Sequence, residues 1–96
     1  MTHNVLKVMK TLYDDLDGEH YALALGKATE LNPGTLYPLL DSLEDAGFIK
    51  GEWEMKPQGR HHRFFYRLSA EGIRHFEAYR AALGSLSNAE GRTAGI

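Results

Sequence analysis

Residues 31–54 read LNPGTLYPLLDSLEDAGFIKGEWE, with two prolines inside an otherwise helical pattern. A proline in a helix interior costs roughly 3 kcal/mol, because it lacks an N–H and its ring clashes with the preceding turn. Pro33 therefore belongs at the first helical position, which makes Asn32 the N-cap. From there Leu36, Leu39, Leu40 and Leu43 fall on one face, and Gly47 after Ala46 is a stop signal. Pro38 lies about one turn in. Its missing N–H would have bonded the Gly34 carbonyl, so the sequence predicts a bend or an irregular first turn held by the leucine face. Beyond Gly47 the pattern becomes strand-like. FIKGEWEM leads out, KPQGRH turns on Pro57 and Gly59, and RFFYRL returns with Phe64 and Tyr66 alternating with Phe65 and Arg67.

On the N-terminal side, Val5, Met9, Leu12 and Leu16 form a helical stripe from an Asn4 cap to about Asp17, widened by Leu6, Val8 and Tyr13. That stripe is wider than one neighbour needs, so this helix is expected to touch both its own core and a second subunit. HYALALGKAT, residues 20–29, reads as a short second helix with Tyr21, Leu23, Ala24 and Ala28 apolar, and Glu30-Leu31-Asn32 as a tight turn. Ser69 caps a fourth helix with Glu71 in its first turn. Phe76, Tyr79, Leu83 and Leu86 are spaced three-four-three along it, a coiled-coil-like seam interrupted by Gly84. Three helices and a two-stranded hairpin make a mainly α winged helix-turn-helix with a C-terminal dimerisation helix. The expected layout is one domain over 1–86, its last helix at about 69–86, and a disordered tail over 87–96.

The chain has 96 residues, enough for one small core, and oligomerisation is an expected source of further buried surface. It has no cysteine, no apolar run long enough for a membrane span, and no signal-peptide layout in MTHNVLKVMKTL, so the expected location is cytoplasmic. A formal net charge of −2 does not by itself point to nucleic acid. Its distribution does. Acids predominate from Asp14 to Glu54, whereas KPQGRHHRFFYR carries Lys56, Arg60, Arg63 and Arg67 and no acid. Such a run alone is better read as a solvated hairpin. On a wing beside a DNA-reading helix it points to phosphate contact.

The stretches NPGTLYPLLDSLEDAGFIKGEWE and GRHHRFFYRLSAEGI resemble the PadR family of bacterial transcriptional regulators. The matching residues are Thr35, Leu36, Tyr37, Pro38, Leu40, Leu43, Glu44, Gly47, Ile49, Trp53, Gly59, Arg60, Tyr66, Leu68 and Gly72, within about residues 18–76. The resemblance implies a homodimeric, repressor-type regulator of double-stranded DNA carrying a palindromic operator. It also implies that the fourth helix packs on the partner's first and fourth helices, and that a small aromatic or cationic ligand can bind between subunits. Two departures stand out. Glu19-His20-Tyr21 lacks the family's glycine, and Asp41, Glu44 and Asp45 occupy a stretch that is often basic. Asp41 can accept from a cytosine amino group or repel phosphate.

The residues proposed to meet DNA are Lys27, Asn32, Thr35, Tyr37, Pro38, Ser42, Lys56, Arg60, His61, His62 and Arg63. Thr35 and Tyr37 sit where a helix N-terminus favours an anion; the alternative for Tyr37 is a ring in the core with only its hydroxyl exposed. Ser42 is as well read as a solvated serine. His61 and His62 become cationic below a pH of roughly 6.5. Val5, Met9, Leu12, Phe76, Tyr79, Leu83 and Leu86 are the expected dimer contacts. His3, His20, His61, His62 and His75 show no metal-ligand spacing, no nucleophile-and-base set is visible, and no cofactor is expected. Trp53 is expected to pack on the apolar side of the wing. The rival reading is a winged-helix module that binds protein and has little DNA affinity, motivated by the acids at 41, 44 and 45. An effector sensor would add to the DNA-binding reading.

Overall fold

A computed structural model describes residues 1–55 and 63–94, with 85–94 as backbone only. In chain order the elements are α1 (His3–Asp14), β1 (His20–Tyr21), α2 (Ala22–Thr29), α3 (Pro33–Asp45), β2 (Ile49–Trp53), β3 (Phe64–Leu68) and α4 (Ala70–Ala94). The strands form one antiparallel sheet in the order β1-β3-β2. This is the winged helix-turn-helix, with one strand more than the expected hairpin.

α1 begins two residues earlier than predicted. Thr2, not Asn4, is the cap, and its Oγ1 accepts from the Val5 N–H at 3.3 Å. It also ends at Asp14, short of Gly18. Asp14, Asp15 and Asp17 crowd that end with negative charge where the helix dipole is already negative. His20 and Tyr21 leave the predicted second helix to pair with β3, His20 opposite Tyr66 and Tyr21 opposite Phe65. A two-residue strand has no periodicity to detect, and the free edge of β3 captures it. α2 then ends on Glu30 in the left-handed region, φ 61°.

α3 follows the predicted bounds. The Asn32 Oδ1 accepts from the Thr35 N–H at 3.0 Å and Pro33 takes the first position. The helix stays α-helical through Pro38. Pro38 and Gly34 are both exposed, on the side away from the buried Leu36, Leu40 and Leu43, so water can reach the carbonyl that the proline leaves unbonded. Asn32→Ala should lower stability by about 1 kcal/mol, whereas Asn32→Gly should cost only a few tenths. Thermal unfolding of both variants checks this, and equal losses would remove the cap from the account.

Gly47 closes α3 with φ 81°, a conformation that a side chain resists. Ser69 then joins two helix ends. Its Oγ donates to the Gly47 carbonyl at 2.5 Å and accepts from the Gly72 N–H at 3.0 Å. The core comprises Val8, Met9 and Leu12 of α1, Leu25 of α2, the α3 leucines, Ile49, Tyr66, Leu68 and Phe76. α4 runs on through Gly84 to Ala94, where the sequence led us to expect an end near 86. One glycine costs a helix only about 1 kcal/mol, and no proline follows it.

Candidate nucleic-acid interface

The α2–α3 corner is built by two packing stripes. Leu25 and Thr29 turn α2 inward, and Leu36, Leu40 and Leu43 do the same for α3. What remains outside is Lys27 on α2 and Asn32, Gly34, Tyr37, Pro38, Asp41, Ser42 and Asp45 on or before α3. Thr35 is half-buried, and its N–H is spent on the Asn32 cap. Asn32 can still offer its amide –NH2 end. Tyr37 is 50% exposed, so its ring is not a core residue. Lys27 and Tyr37 line one cleft of about 210 Å³ with Leu23, Pro33 and Leu36. An ammonium, a phenol hydroxyl and a helix N-terminus thus converge on one surface.

Leu23 belongs to this corner too. By sequence it reads as one of the apolar residues of the second helix, yet it is 74% exposed. The spacing of Ala22, Leu25, Gly26 and Thr29 defines the inward stripe, and Leu23 falls outside it. α3 itself carries no lysine or arginine. Asp41 and Asp45 are exposed. Glu44 leans over β2, since a Cβ added at Gly51 would lie 3.1 Å from its Oε2. Burial first, then the charges of Glu44 and Asp41, raise the Tyr66 phenol above its ordinary pKa.

On the wing, Arg63 is exposed and its guanidinium lies 5.0 Å from the centre of the Tyr21 ring. Arg67, grouped by the sequence with the basic run, is used internally. It donates to the carbonyls of Asp17 at 3.1 Å and Gly18 at 3.4 Å, and lies over the Phe65 ring. Lys56, Arg60, His61 and His62 lie outside the described residues. Trp53 touches the Phe64 ring edge-on at 5.0 Å but stays 62% exposed, so it is not packed away as predicted.

The expected dimer contacts divide in the same way. Met9 and Leu12 are fully buried and Phe76 is 4% exposed, so these three fill the protomer's own core. Part of the surplus width of α1 is used by α4 of the same chain: Tyr13 packs on Phe76, and its hydroxyl donates to Glu77 at 2.7 Å. That hydrogen bond is the main reason the Tyr13 phenol titrates above its ordinary pKa. Val5 and Tyr79 are half-buried and Leu83 is 45% exposed, while the side chain of Leu86 lies outside the described residues. Between α1 and α4 an open groove of about 400 Å³ is lined by Leu6, Lys7, Phe76, Tyr79, Arg80 and Leu83.

The PadR-like transcriptional regulator family matches residues 19–78, from the root of β1 into α4. The chain belongs to this family. A PadR family regulator from Eggerthella lenta is 31% identical, with a TM-score of 0.67 over 88% of this chain and 78% of that one. The same fold recurs at lower identity in MepR, a transcription regulator of the Staphylococcus aureus multidrug efflux pump MepA. There the identity is 19% and the TM-score 0.81, over 97% of this chain and 65% of that one. A MepR variant bound to an oligodeoxyribonucleotide is 18% identical with a TM-score of 0.78, over 96% of this chain and 64% of that one. This chain therefore spans just under two thirds of MepR. No functionally curated protein sequence matches it. PadR-like proteins are transcriptional regulators rather than enzymes, and among the described residues no helix is long and apolar enough to cross a membrane.

Proposed function

We propose that this PadR-like chain is a homodimeric repressor that reads a palindromic operator in double-stranded DNA. The observation that carries this reading is the α2–α3 corner, where Lys27 and Tyr37 line one cleft beside the capped N-terminus of α3. α3 enters the major groove with Tyr37, Pro38, Asp41 and Ser42 towards the bases. Lys27, Asn32 and Thr35 meet the backbone at its entry, and Lys56, Arg60, His61, His62 and Arg63 meet flanking phosphates from the wing. MepR, which shares the fold, has been seen with an oligodeoxyribonucleotide bound. Dimerisation uses what the protomer leaves open on α1 and α4: Val5, Leu6, Tyr79 and Leu83 rather than Met9, Leu12 and Phe76. The groove there is also the place for a small aromatic effector.

Selection from a random DNA pool at low and moderate salt tests this. A palindromic motif with half-sites about 10 base pairs apart, or a multiple, is the expected result. Tyr37→Phe should weaken operator binding about fivefold, the worth of a hydrogen bond to a neutral base edge, with an unchanged melting temperature. A large drop in melting temperature would make Tyr37 structural.

One observation favours a second reading. With Asp41 and Asp45 exposed and no cation on α3, the helix can serve a basic protein partner instead of DNA. Stoichiometric capture of such a partner, with no retardation of any DNA by the protein, would select that reading.

A further inference from the structure

Tyr21 holds the N-cap position of α2 without a side-chain cap bond and lies outside the α2–α3 cleft, yet its side chain joins three parts of the fold. Its backbone pairs with Phe65 in the centre of the sheet, and the next residue, Ala22, begins α2. Its hydroxyl donates to the Glu54 carboxylate. Glu54 is 7% exposed and stands just past the end of β2, at the root of the wing. The Glu54 N–H donates to the Arg63 carbonyl at 2.7 Å, linking the two wing strands where they leave the sheet. The Arg63 guanidinium in turn lies over the Tyr21 ring, and the Phe65 ring meets Tyr21 edge-on at 6.3 Å.

From this arrangement we infer that Tyr21 is a positioning residue for DNA binding, which sets the wing against the α2–α3 unit and aims Arg63 at the phosphate backbone. The inference rests on the DNA-binding reading above. A wing and a recognition helix act on one duplex only if their spacing is held, and the Tyr21 hydroxyl and ring hold the strands at the root of the wing before DNA arrives. The ring face attracts the guanidinium without neutralising its charge, leaving the N–H donors at its edge for phosphate. The Glu54 hydrogen bond raises the Tyr21 phenol above its ordinary pKa, so the hydroxyl stays a donor through the physiological range.

The test crosses two substitutions and adds a readout without DNA. Arg63→Ala in the wild-type chain should lower DNA affinity about tenfold and reduce the salt slope by about one. In a Tyr21→Leu background, Arg63→Ala should change affinity by less than about twofold, because Arg63 is already misaimed. A role confined to stability would leave the Arg63 effect intact in both backgrounds, and that result would overturn the inference. So would an Arg63→Ala variant that binds like wild type. Tyr21→Phe keeps the ring and removes the hydroxyl, and covers the case in which Tyr21→Leu does not fold. Hydrogen exchange at the Glu54 amide should then speed up about tenfold while exchange at Leu40 does not change. Equal exchange at Glu54 would overturn the wing anchor. If wild-type protein binds no DNA in any assay, the functional reading fails, and the exchange measurement still decides whether Tyr21 anchors the wing.

Discussion

Replacing Gly72 by alanine should cost the domain about 3 kcal/mol, the upper end of what overpacking a close-packed site removes. A Cβ at Gly72 would lie 2.0 Å from the Phe48 carbonyl oxygen and 2.9 Å from the carbon that bears it. Both are backbone atoms, which cannot swing aside as a side-chain tip can. The same carbonyl accepts from the Ser69 N–H at 3.0 Å, so moving it breaks the first contact between α4 and the α3–β2 turn. Lifting α4 instead separates Phe48 from His75, whose rings stack at 4.5 Å. For a chain of this size the loss corresponds to roughly 12–24 °C in melting temperature. Thermal unfolding followed by circular dichroism measures it directly. A drop below about 4 °C would mean that α4 can shift on the turn at little cost.

Arg60→Ala combined with Arg63→Ala should weaken binding to operator and non-operator DNA alike, by about 10- to 100-fold at moderate salt. Each phosphate contact releases condensed counterions, so losing two should flatten the plot of log affinity against log salt by about 1.8. Specificity, as the ratio of operator to non-operator affinity, should hold, because the proposed binding mode assigns base edges to α3. Arg63 is exposed, so its removal leaves no cavity, and the melting temperature of the double variant should stay near wild type. The measurement is a binding titration at several salt concentrations on two duplexes. An unchanged slope would take the wing out of the phosphate contacts. A change in the specificity ratio would instead place these arginines in a groove.

The acidic face of α3 gives these predictions their context. With Asp41 and Asp45 exposed and no cation on the helix, the proposed DNA-binding mode draws its charge attraction from Lys27 and the wing. Disturbing the wing therefore removes a larger share of binding here than it would beside a basic recognition helix.

Local chemistry determined much of this protein from the sequence alone. Asn32, Pro33 and Gly47 each suit one backbone position, so α3 could be placed to within one residue, and the leucine spacing gave its inward face. The double role of Ser69 was half legible. Its cap on α4 is a local signal, whereas its bond to the Gly47 carbonyl joins residues far apart in the chain. Gly72 was visible as part of a family pattern, but its reason, the Phe48 carbonyl, exists only once α4 is docked.

Tertiary structure decided the rest, because those features depend on what packs against what. β1 exists because β3 offers an edge, and Arg67 leaves the basic run because the carbonyls of Asp17 and Gly18 come within reach. Met9, Leu12 and Phe76 have the spacing of an interface, yet they are buried by their own chain. A periodic pattern records that a face is covered. Whether the cover is the same chain or a second one is settled by three-dimensional packing, which periodicity does not encode.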